Sequence, residues 1–132
     1  MSLTLTERFA ADAQAVLEPL DLDQYYRMLE AGVIAEGAPI ELIDGLLIRK
    51  DRRDSEGDIM TIGTRHSSTI RRLLILLQPF APQGVLLVQS QQPIHVSDYN
   101  APEPDVSVLL GGVDDYSDHH PTPSEIALVV EV

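Results

Sequence analysis

Hydrophobic positions recur along this chain with two periods, and the switch between them divides it into helices and strands. Leu22, Tyr25, Tyr26 and Leu29 fall at helical spacing between Asp21, a favoured N-cap, and Gly32, a favoured stop. They predict a helix over 21–32 whose aromatic pair packs in the core. Ile70, Leu73, Leu74 and Leu77 repeat at i, i+3, i+4 and i+7 after the lead-in Thr64-Arg65-His66-Ser67-Ser68. This is an amphipathic helix, closed by Pro79 and Pro82, with Arg71 and Arg72 projecting off its core face. A shorter helix is expected before Pro19, with Thr6 as N-cap and Phe9, Ala13, Val16 and Leu17 packing inward.

Strand signals fill the rest. Ile40-Glu41-Leu42-Ile43 and Leu46-Leu47-Ile48 flank Asp44-Gly45, a favoured two-residue hairpin turn. Residues 51–62 are polar and form a loop or a long hairpin tip. Gly84 to Ser90 and Gln92 to Val96 read as two strands interrupted at Pro93. Pro104 to Leu110 and Ile126 to Val132 are short runs rich in Val and Leu, so both are expected as buried strands. A polar loop, 111–123, separates them.

At 132 residues the chain is long enough for one core, and 44% apolar residues make it globular. No apolar run approaches the ~20 residues of a membrane helix. Cysteine is absent, which excludes disulfides and thiolate metal sites. With no secretory signal visible at the start, a cytoplasmic setting is expected. The net charge of −12 opposes nucleic-acid binding when taken alone. The charge is uneven, however: Arg49, Lys50, Arg52, Arg53, Arg65, Arg71 and Arg72 are seven of the nine Lys and Arg residues. This is either a solvated loop and helix face or a basic edge fit for a phosphate backbone.

Candidate chemistry comes from acids inside apolar runs. Asp105 and Glu131 each occupy a strand where the pattern asks for an apolar residue. Buried carboxylates need a cation or a hydrogen-bond network beside them, and two on neighbouring strands can hold a hard divalent ion such as Mg2+. Glu41, inside the first hairpin arm, is either solvent-facing or a third carboxylate of the same group. His66, near a helix start, is more often a structural hydrogen-bonding group than a general base. Asp114, Asp115, Asp118, His119 and His120 share one loop, and such a cluster is more often solvated than metal-binding.

The order of these features resembles the Uma2 family of endonucleases, in the PD-(D/E)xK, restriction-endonuclease-like superfamily. A helix ends at Gly32, followed by Glu41-Leu42-Ile43-Asp44-Gly45, then His66 before an amphipathic helix, Glu103-Pro104-Asp105-Val106, and Val129-Val130-Glu131-Val132. The similarity spans about residues 20–132. It implies an α+β fold: a restriction-endonuclease-like core with a mixed β-sheet flanked by helices. That would be one domain over 1–132, with N-terminal helices in 1–32 and a core over 38–132. It further implies Asp105 and Glu131 as ligands of Mg2+ or Mn2+, Glu41 and His66 at the catalytic site, and DNA as substrate. Arg49, Lys50, Arg65, Arg71 and Arg72 would then meet the nucleic acid.

One departure from the family shapes the expectation. Family members carry a lysine on a helix beyond the position of Glu131, followed by a further strand. The only lysine here, Lys50, lies on the hairpin, at a place that does not match. The core is therefore expected to lack its last helix and strand, with cleavage absent or weak. A homodimer, or another partner, is expected to cover the open C-terminal strand. Two other readings stay open: a nuclease-fold remnant that binds without cutting, and a small α+β interaction module whose acids merely face solvent.

Overall fold

The computed structural model describes residues 16–50 and 64–132, together with Glu7 and Ala11. Helix α1 spans Leu22–Glu30. Its start is fixed by a reciprocal cap: Asp21 accepts from the Gln24 amide at 2.8 Å, and the Gln24 side chain accepts from the Asp21 amide at 2.9 Å. Leu22 and Tyr25 on its inner face join Ile34, Leu42 and Ala101 in a buried cluster. Each such large apolar side chain, fully buried, contributes about 1.5–3 kcal/mol.

Strands β1 (Ile40–Ile43) and β2 (Leu46–Arg49) form an antiparallel hairpin. Asp44 and Gly45 have φ of 49° and 76°, the left-handed pair that a tight hairpin turn demands. Gly45 is doubly constrained, because a Cβ there would lie 2.4 Å from the Pro19 Cβ. The turn is held from outside as well: Gly45 donates to the Tyr99 carbonyl, and Asp44 donates to the Asn100 side chain, both at 2.9 Å.

Helix α2 spans Thr64–Leu77 and runs into a 3-10 turn at Gln78–Phe80. It packs against β3 (Leu86–Ser90) and β4 (Val106–Leu110) of a second sheet, completed by β5 (Ile126–Val130) in the order β3-β4-β5. The central strand β4 is the most buried, with Val106 and Leu109 fully enclosed. A register shift at Val108/Leu109 kinks its pairing with β5. No helix among the described residues is long and apolar enough to cross a membrane.

The architecture is α+β and compatible with a restriction-endonuclease-like core. Four details differ from the sequence reading. All strand pairs among the described residues are antiparallel, giving two small sheets rather than one mixed sheet. A parallel pair needs a long crossover, and none of these neighbours is joined by an α-helix. Gln92 to Val96 is no strand: Pro93 lacks an amide hydrogen, and Ile94 and His95 donate to the carbonyls of Pro102 and Pro121 instead. Strand β5 lies at the sheet edge, so Leu128 and Val129 are 44% and 42% exposed rather than buried. Val16 and Leu17 are exposed and non-helical, while Phe9, Ala13 and the 51–62 loop lie outside the described residues.

Candidate functional site

The hairpin is tied to the segment leading into β4 at Ala101, which bridges to Leu42 of β1, its amide donating to the Leu42 carbonyl at 2.8 Å. From that stitch the chain runs extended through Glu103 into β4. Glu41 is adjacent to Leu42, so the hairpin delivers its carboxylate to the start of β4. There Glu41 Oε1 accepts from the Glu103 amide at 2.7 Å.

Asp105 lies one residue before β4 and is 4% exposed. Its Oδ2 accepts from the Val132 amide at 2.8 Å, which ties it to the chain leaving β5. Val106 opposes Val130 in the ladder, so the flanking residues Asp105 and Glu131 are brought together. Glu131 is itself exposed, unlike the buried acid expected at that position. Partial burial of the carboxyl and then the Asp105 charge push its pKa above the usual carboxylate value, and Lys50 lowers it in part.

His66 stands in the first turn of α2, with Nε2 3.3 Å from Asp105 Oδ1. The distance allows charge attraction, but the alignment is not that of a hydrogen bond, and this buried nitrogen has no hydrogen-bond partner. Glu41, Asp105, Glu131 and His66 therefore approach one region from four chain segments.

Two further residues belong there. Lys50 Nζ lies 3.1 Å from Glu41 Oε1, with both side chains largely buried, and it also donates to the Glu103 carbonyl. Glu103 is raised by burial and by Glu41, against an opposing pull from Lys50. The sequence carries a signal for each. Glu103 stands two residues before Asp105, on the segment that leads into β4. Lys50 follows Ile48 by two, and Ile48 opposes Glu41, so the hairpin register places Lys50 diagonal to Glu41. Lys50 is thus turned toward carboxylates, whereas Arg49, Arg65, Arg71 and Arg72 are exposed. Arg65 and Arg72 line a shallow cleft on α2 with Thr64, Ser68 and Thr69. Lys50 and Glu103 also line a cavity of about 730 Å3 that includes Tyr25, Tyr26, Gln91 and His120.

Among the described residues, no set of three or more His, Asp or Glu side chains is gathered to hold a metal ion. That includes the 111–123 loop. There His119 contacts Asp118 at 2.8 Å and Glu125 at 3.0 Å, and His120 stacks on Tyr26 with ring centroids 5.3 Å apart. Bonds from Thr122 and then His119 pull Glu125 down to about 2, and the Asp118 and Glu125 carboxylates raise His119. The depressed Glu125 contributes stability above its ordinary 4.5 and loses it as pH falls toward about 2. The raised His119 contributes fully below its ordinary 6.5 and loses that contribution as pH rises through its elevated value. Protection of the amides in residues 113–125, with exchange rates taken relative to the intrinsic rate at each pH, should therefore be greatest between these two ordinary values and lower on either side. A flat profile would show that the pair does not hold the loop.

A family model, Uma2, described as "Putative restriction endonuclease", matches residues 22–132. No curated protein and no solved structure matches the chain.

Proposed function

Because the chain belongs to the Uma2 family, we propose that it is a metal-dependent endonuclease that hydrolyses DNA phosphodiester bonds at the Asp105–Glu131 pair, with Glu41 nearby. The observation that supports this reading is the meeting of Asp105 and Glu131 at the ends of paired strands, with Glu131 raised by its neighbour's charge. All the donors are hard oxygens, which suits Mg2+ or Mn2+ better than a softer ion. A two-carboxylate set is also what Mg2+ takes when substrate phosphates and water complete its shell, so three protein ligands are not required. Asp105 and Glu131 would hold the ion, with Glu41 beside them. When bound, such a cation polarises a phosphoryl oxygen and acidifies a water.

The remaining residues hold and orient. The Val132 amide fixes one Asp105 oxygen and leaves the other facing His66. The Glu103 amide and Lys50 fix Glu41. Arg65 and Arg72, exposed on α2, offer charge to the phosphate backbone without reading sequence.

The test is nicking of supercoiled plasmid with Mg2+ or Mn2+. Nicking should stop with a chelator and fall steeply in Glu131→Gln. Activity that survives both would belong to a contaminant and would end the proposal. A second reading, a nuclease-fold protein that binds DNA without cutting, is favoured by the net charge of −12 and by the place of Lys50, which lies on the hairpin bonded to Glu41 and Glu103. Plasmid binding with no nicking in either metal would select it.

A further inference from the structure

Lys50 is the only lysine of the chain, and it sits where surface lysines do not. Its side chain is largely buried, with Nζ 3.1 Å from Glu41 Oε1 and also bonded to the Glu103 carbonyl. Glu41, Glu103, Asp105 and Glu131 crowd this region, and Lys50 acts electrostatically on both Glu103 and Glu131. Immobilising a long lysine stem costs rotamer entropy, so an ordered ammonium implies a firm set of acceptors.

From this geometry we infer that Lys50 is a built-in, exchangeable counter-ion: it holds Glu41 in the metal-free protein and yields that carboxylate when a divalent cation enters. The inference rests on the metal-dependent reading above and adds a role that neither the basic edge nor the family's own lysine supplies. A compact ammonium on a flexible tether can compete with a divalent ion for carboxylate oxygens and then move aside. Its charge also disfavours an incoming cation nearby, so the two states oppose each other energetically. Lys50 is thus a positioning residue that acts through Glu41.

The lone lysine makes the experiment selective. With 13C-lysine labelling of the 132-residue chain, the side-chain signals report Lys50 alone. In the metal-free protein these signals should be those of an ordered side chain and should sharpen toward free lysine in Glu41→Gln. Adding Mg2+ should shift them in the same direction in wild type, but not in Asp105→Asn. Lys50→Met should bind Mn2+ several-fold tighter than wild type, and Lys50→Arg should restore the wild-type affinity. A packing role would instead weaken Mn2+ binding in Lys50→Met.

Signals of a mobile lysine indifferent to Glu41→Gln would overturn the pairing. Signals that respond to Glu41→Gln but not to Mg2+, in a protein that still nicks plasmid, would overturn the exchange. If Mg2+ has no effect on the signals or on nicking, the metal reading and the exchange both fall while the pairing stands.

Discussion

Asp105→Asn should abolish metal-dependent nicking while leaving the melting temperature within a few degrees of wild type. The replacement keeps the size of a side chain that is 4% exposed, and its oxygen can still accept from the Val132 amide. What it loses is the negative charge that a divalent ion requires. Even outer-shell partners of a metal cost tenfold to a hundredfold when removed, so loss of a direct ligand should exceed about a hundredfold. The Glu131 carboxyl should return toward its ordinary value in the same variant, since the Asp105 charge is one of the causes that raise it. Asp105→Ala separates charge from structure. It leaves the Val132 amide without its acceptor, at about 1–3 kcal/mol. Nicking rates, with urea denaturation of both variants, check the pair of expectations; an active Asp105→Asn protein would remove this residue from the site.

The largest stability loss is expected from Leu42→Ala, at about 2–5 kcal/mol. Leu42 is fully buried at the centre of the cluster formed with Leu22, Tyr25, Ile34 and Ala101. Truncation leaves a cavity between α1 and the hairpin, in a chain whose total stability is on the order of 5–15 kcal/mol. The Leu42 carbonyl also anchors the Ala101 amide, so loosening this point should disturb Glu41, the next residue, and its contact with Glu103. Urea titration measures the first effect. A midpoint close to wild type would mean that the two layers are held elsewhere.

Much of the fold was legible because it rests on local rules. Asp21 announces a helix start, Asp44-Gly45 announces a hairpin, and the spacing from Ile70 to Leu77 announces an amphipathic helix. Properties set by distant partners were not legible. Gln92 to Val96 has the composition of a strand, yet its amides are claimed by Pro102 and Pro121 carbonyls. Residues 126–130 are apolar enough for a buried strand, but position at the sheet edge depends on pairing order, which composition does not encode. The acids at 41, 105 and 131 stood out because each interrupts an apolar run. Lys50 was read as part of the basic edge because one-dimensional charge counting does not follow hairpin register. Once β1 and β2 are aligned, its approach to Glu41 follows from alternation alone.

The hairpin and the larger sheet are joined through one short segment. Glu41 and Lys50 ride on the hairpin, whereas Asp105 and Glu131 ride on the larger sheet, with Ala101 and Glu103 as the thread between. The distance between Glu41 and the Asp105–Glu131 pair is therefore set by the hydrogen bonds that Ala101 and Glu103 make to the hairpin, not by the ladder of either sheet.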